Sequence, residues 1–135
     1  MLERVGVAVA LLAMGYLAHR LVRCYLLWRA AQQAEADPLL RQAQQNMPTV
    51  LYFTTPNCAP CKYAQRPALA QLQQEMGERF QLIQVDATED PAAATRWQVQ
   101  TVPTTFVLDR SGKPTQVNHG VADATKLRQQ IQTVA

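Results

Sequence analysis

A β-prone run, Thr49–Thr54 (TVLYFT), is separated by only Thr55-Pro56-Asn57 from Cys58-Ala59-Pro60-Cys61, and the residues beyond follow a helical period. No other feature narrows the fold so far. The run is apolar enough to be an interior strand. After it, Cys61, Ala64, Ala68, Leu72 and Met76 recur at helical spacing, and Gly77 is suited to cap the helix C-terminus. Pro67 falls inside this helix and is expected to kink it, because it lacks an N–H and its ring meets the preceding turn. A strand that turns directly into a helix is the opening of an α/β arrangement.

The remaining elements continue the pattern. Phe80–Asp86 (FQLIQVD) reads as a buried strand, and Pro91–Trp97 as a short helix with proline in its first turn. Thr104–Leu108 (TTFVL) is a further strand. Asp109-Arg110-Ser111-Gly112 makes a hairpin turn, and Thr115–His119 returns antiparallel. Ala124, Leu127, Ile131 and Val134 mark one face of a closing helix. The order predicts an α/β sandwich in which a central mixed sheet carries helices on both faces. Asp86, Glu89 and Asp90 end a strand and open a helix, His119 is a polar strand end, and Trp97 is expected to pack on the sheet.

Ahead of this domain lies an uncharged run of 14 residues, Val5 to Ala18, extended by Leu2 and Leu21-Val22. A membrane-spanning helix needs about 20 residues. His19, Arg20 and Arg23 can supply the remainder by snorkelling to the interface, where Tyr25 and Trp28 also fit. The alternatives are a cleaved signal peptide and an interfacial helix. Tyr16 disfavours cleavage after Ala18, since small residues are required there. Residues 1–29 are therefore read as an anchor helix, 30–46 as a polar helical linker within which Asp37-Pro38 ends the first helix, and 47–135 as the folded domain. Arg20, Arg23 and Arg29 follow the span and only Arg4 precedes it, which places the domain on the cytoplasmic side by the positive-inside rule, with the extracytoplasmic side as the alternative. Up to Asn46 there are five basic residues against three acidic, and from Met47 onward eight against seven, so the net charge of +3 offers no case for nucleic acid.

The chemistry resides in the cysteine pair. At a helix start, unpaired N–H groups and the positive end of the helix dipole favour a thiolate, lowering the pKa of the first cysteine below about 8.5. Cys58 is then the nucleophile toward a disulfide, and Cys61, one turn on, resolves the mixed disulfide. Pro60 fits the first turn because it has no N–H to leave unpaired.

From about residue 48 onward the chain resembles the thioredoxin superfamily, through Cys58-Ala59-Pro60-Cys61 and Val102-Pro103-Thr104 in the appropriate order of elements. The resemblance implies a thioredoxin-like three-layer sandwich. It also implies a cis Pro103 facing the cysteines, a substrate groove supported by Asn57, Ala59, Pro60, Val102, Pro103, Thr104 and Gly120, and a redox-active Cys58–Cys61 disulfide with no further cofactor. Departures are equally visible. Asn57 and Ala59 replace the family's Trp and Gly, and Tyr52 and Leu82 stand where a buried acid and its lysine partner are common. The helix proline comes six residues after the second cysteine instead of five, and the family's first strand and helix are missing or reduced to residues 38–46.

The resulting expectation is a membrane-anchored thiol–disulfide oxidoreductase of protein-disulfide-reductase type. Its partners are protein thiols and disulfides, an unidentified electron donor or acceptor, and the membrane. The alternative is a thioredoxin-like binding module with redox-idle or metal-bound cysteines. A structural zinc site needs about four ligands, whereas the domain offers only Cys58, Cys61 and His119, so no metal is expected.

Overall fold

The computed structural model describes the backbone of residues 1–135 and every side chain except those of Leu2, Leu26, Leu27 and residues 30–36. A long helix, α1 (Leu2–Ala36), is followed by a short 3-10 turn at Leu40–Gln42 and then by the folded domain. Within α1, Glu3–Tyr25 is a 23-residue stretch long and apolar enough to cross a membrane, although a signal sequence near an N-terminus shares that character. Its apolar side chains, among them Leu12, Met14 and Leu17, are exposed rather than packed on the domain. The helix continues unbroken to Ala36 and stops where Pro38 denies its predecessor the helical conformation.

The domain contains β1 (Thr49–Thr54), α2 (Arg66–Met76), β2 (Gln81–Asp86), α3 (Pro91–Arg96), β3 (Thr104–Leu108), β4 (Pro114–His119) and α4 (Ala124–Val134). The four strands form one mixed sheet in the order β2-β1-β3-β4. β1 pairs parallel with β2 and antiparallel with β3, and β3 with β4 is a hairpin. This is the thioredoxin β-α-β sandwich.

β1 is buried along its whole length, as its apolar run demands. Alternation sends Val50 and Tyr52 into one core and Leu51 and Phe53 into the other. The first core holds Cys61, Leu69, Leu72, Leu127 and Ile131 from the α2 and α4 side. The second is closed by Ala93, Leu108, Trp97 and Phe106, with Leu39 and Leu40 from the segment after α1. Trp97 stands edge-on to Phe106 at 5.0 Å between ring centroids, so it does pack on the sheet.

β2 differs from expectation. It is an edge strand, with Gln84 exposed and Leu82 and Ile83 only partly covered. The cause is the missing first strand: nothing among the described residues pairs with its outer side. Helix signals behave as their chemistry predicts. Asp90 caps α3 by accepting from the Ala93 N–H at 2.9 Å, and Asp123 caps α4 by accepting from Lys126 N–H at 2.8 Å. Gly77 closes α2 at φ 56°, a conformation that costs a residue with a Cβ more.

One buried charge ties the segment after α1 to the domain. The Asp37 carboxylate accepts from Arg96 Nε and Nη2, both at 3.1 Å, from Trp97 Nε1 at 2.8 Å and from Leu39 N–H at 3.0 Å. Burial pushes the carboxyl upward, but the hydrogen bonds from Arg96, Leu39 and Trp97 and the guanidinium charge outweigh it and hold its pKa below the ordinary value. A lowered carboxyl stabilises the fold above its unfolded pKa of about 4 and loses that contribution as pH falls through the folded value. Asp37→Asn is expected to lower unfolding free energy by about 1–3 kcal/mol at neutral pH. The gap between the two proteins should narrow below about pH 4, which denaturant titrations at neutral and acid pH will measure.

Candidate active site

The parallel pairing of β1 with β2 and the burial of both faces of β1 leave the chain beyond Thr54 a single exit, at the end of the sheet. There Thr55-Pro56-Asn57 turns it, with Cys58 N–H donating to the Thr55 carbonyl at 3.3 Å. The helix opens at Ala59. Cys58 is its N-cap in the hydrogen-bonding sense, because its Sγ accepts from the Cys61 N–H at 3.2 Å and its carbonyl accepts from Lys62 N–H at 3.1 Å. The sulfur thus occupies the place of the usual capping oxygen, satisfying an amide that the helix cannot pair itself. Pro60, in the first turn, has no N–H to satisfy.

Cys58 and Cys61 form a disulfide with Cα atoms 5.2 Å apart. The two sulfurs are not equivalent. Cys61 is fully buried in the first core, whereas Cys58 is only partly covered and packs against that core from outside. Asn57, Ala59 and Pro60 are exposed around it, as is Tyr63, at 73% the most exposed aromatic of the domain. The Lys62 ammonium lies 5.2 Å from the Tyr63 ring centroid, a cation–π contact beside the cysteines.

The Val102–Pro103 peptide is cis. Thr104 is paired with Phe53, so Pro103 lies beside the end of β1 from which the cysteine turn departs. Val102 bridges both cores, Pro103 and Thr104 are buried, and the Thr104 hydroxyl donates to the Thr101 carbonyl at 2.7 Å. The Pro103 carbonyl accepts from Gly120 N–H at 2.9 Å. Gly120 makes this turn at φ 89°, which a side chain would strain. The sequence-derived residues thus gather at one end of the sheet. His119, exposed at the end of β4, makes no hydrogen bond with either cysteine.

Two further residues border the cysteines: Tyr52, which stands where the family commonly has a buried acid, and Gln65, which the sequence reading did not assign. Tyr52 lies in the same core as Cys61, and its buried hydroxyl has no hydrogen-bond partner among the described residues. Gln65 is fully buried, and its side chain meets the backbone of Ala122. The signal for Gln65 was the late position of Pro67. The expected kink takes the form of a π-turn over Cys61–Gln65, closed by the Arg66 N–H donating to the Cys61 carbonyl, and Pro67 falls in the first turn of α2. A proline ring collides with the carbonyl four residues back, so the helix opens by one residue just ahead of it.

This arrangement is equipped for thiol–disulfide exchange: an accessible sulfur on an amide at a helix start, a buried sulfur one turn away, and an adjacent cis-proline strand end. In reduced protein, iodoacetamide is expected to modify Cys58 before Cys61, since the latter is fully buried; peptide mapping of partly alkylated protein reads the order.

Comparison with known proteins agrees with this geometry. The family model described as thioredoxin matches residues 31–133. Chloroplastic thioredoxin Y of Oryza sativa subsp. japonica is 30% identical over 97 residues, covering 72% of this chain and 55% of that protein. A thioredoxin-like protein of Synechocystis sp. is 34% identical over 85 residues, 63% of this chain and 79% of its own length. Among solved structures, Fasciola hepatica thioredoxin superposes with a TM-score of 0.60 at 27% identity, covering 72% of this chain and 88% of that one. The chain spans about half the length of the rice protein.

Proposed function

The chain belongs to the thioredoxin family, and we propose that it is a membrane-anchored thiol–disulfide oxidoreductase acting as a protein-disulfide reductase through Cys58 and Cys61. The observation that carries the reading is the Cys58–Cys61 disulfide, with Cys58 Sγ on the Cys61 amide at a helix start. In the reduced enzyme the Cys58 thiolate attacks one sulfur of a substrate disulfide. A Cys58–substrate disulfide forms and the other substrate sulfur departs as a thiolate. Cys61 then attacks Cys58 Sγ, its proton leaving with the substrate sulfur that this attack displaces. The Cys58–Cys61 disulfide re-forms, the second substrate sulfur is released, and two electrons have passed from enzyme to substrate. A dithiol donor returns the enzyme to its reduced state by the same exchange run in reverse.

In this reading the surrounding residues have supporting roles. Asn57, Ala59 and Pro60 form the exposed surface a substrate meets first. Val102, Pro103, Thr104 and Gly120 supply the groove, with the Val102 backbone as an edge for an extended substrate chain. The amide at Cys61 favours the thiolate of Cys58, which raises the fraction of that sulfur able to attack a substrate disulfide. Cys58→Ser is expected to abolish reduction of insulin disulfides, while Cys61→Ser should accumulate a mixed disulfide visible on non-reducing gels. A Cys58→Ser protein that reduces insulin at the wild-type rate would overturn the assignment.

Residues 1–29 serve in this reading as the anchor and 47–135 as the redox domain, facing the cytoplasm. The support is the exposed apolar stretch Glu3–Tyr25 together with Arg20, Arg23 and Arg29 at its C-terminal side. The full-length protein is expected to stay with membranes through alkaline carbonate washing and to be extracted by detergent. Release by carbonate would contradict an integral helix.

A further inference from the structure

The one-residue opening of the helix beside the cysteines has a partner across the site. Gln65 Oε1 accepts from the Ala122 N–H and its Nε2 donates to the Ala122 carbonyl, each at 2.9 Å. Gln65 is fully buried and Ala122 nearly so. The side chain therefore pairs with a backbone as a neighbouring strand would, and leaves none of the four groups unpaired. Two residues earlier on that backbone, Gly120 donates to the Pro103 carbonyl at 2.9 Å. One residue later, Asp123 caps α4. The segment 120–122 is thus held on one side by the cis-proline strand end and on the other by the helix that carries Cys61. Val121, between the two attachment points, is 47% exposed.

From this we infer that Gln65 is a positioning residue for protein substrates: through Ala122 it fixes the groove wall at 120–122 against the helix bearing the cysteines. The inference rests on the oxidoreductase reading above and adds to it a determinant of substrate presentation. The π-turn is the structural reason Gln65 is available. The extra residue ahead of Pro67 turns a polar side chain toward Ala122 on the same buried side as Cys61, where its amide matches a free peptide group in both donor and acceptor. A small disulfide reaches Cys58 without the groove, whereas a protein disulfide must lay its backbone along it.

The test compares two probes on the full-length protein in detergent, insulin and the small disulfide dithiobis(nitrobenzoate). Gln65→Met keeps length and burial but removes both hydrogen bonds. Its KM for insulin is expected to rise about tenfold, since orienting contacts govern presentation, while the rate with the small disulfide changes less than about twofold. A purely structural role would lower both rates together, in proportion to the fraction folded. Gln65→Glu adds a second readout: its carboxylate accepts from Ala122 N–H but opposes the Ala122 carbonyl, and protonation restores the donor. Its insulin KM, relative to wild type, is expected to fall as pH is lowered toward the carboxyl range. Equal losses on both probes, an unchanged insulin KM in folded Gln65→Met, or a pH-independent KM ratio for Gln65→Glu would each overturn the inference. Wild-type protein inactive toward both probes would instead contradict the oxidoreductase reading itself.

Discussion

Burial of β1 on both faces is the constraint from which the rest follows. A six-residue strand with every side chain covered must have neighbours on both edges and a layer on each face, and its alternating side chains seed both cores at once. That fixes where the chain can leave the sheet. The turn after Thr54 emerges at the sheet end, the helix must start there to cover the Val50–Tyr52 face, and the cysteine pair is carried to the first helical turn. The chemistry of Cys58 is a consequence of that position, because an unpaired amide is available only in the first turn of a helix.

A second consequence concerns the groove. β3 is antiparallel to β1, so its first residues, not its last, lie beside the cysteine turn. The cis peptide at Pro103, the positive φ of Gly120 and the Gln65–Ala122 pair all occur where the chain closes around this end. These are local conformations that a regular strand or helix would not adopt, and the hydrogen bonds linking them let a short loop hold a defined shape. By contrast, the opposite side of the sheet does plain structural work: Asp37, Arg96 and Trp97 secure the segment after α1 against the core beneath Phe106.

Much of this was legible in the residues themselves. β1, β3 and α4 begin and end at or within a residue of where their apolar patterns place them, because their burial leaves one consistent reading. β2 was harder. Its apolar composition predicts a buried strand, yet whether a strand lies inside or at the edge of a sheet depends on a neighbour, and none of the described residues supplies one. The active-site helix shows another limit. Its late proline signalled an irregularity, but whether a helix answers with a bend or an extra residue depends on what its side chains meet, here a peptide group at Ala122 far along the chain. Asp37 looked like a helix terminator; its ion pair to Arg96 involves a partner distant in sequence, which no local pattern reveals.

In the reduced enzyme, the helix start that Cys58 caps is expected to hold its sulfur as a reactive anion. Following thiolate absorbance in the ultraviolet while the fully reduced protein is titrated tests this directly, with the Cys58→Ser variant identifying which sulfur is responsible. One thiolate is expected to form well below the ordinary thiol value of about 8.5 and to vanish from the titration in that variant. If all three thiols, Cys24, Cys58 and Cys61, titrate at or above about 8.5, the helix start does not hold Cys58 as an anion.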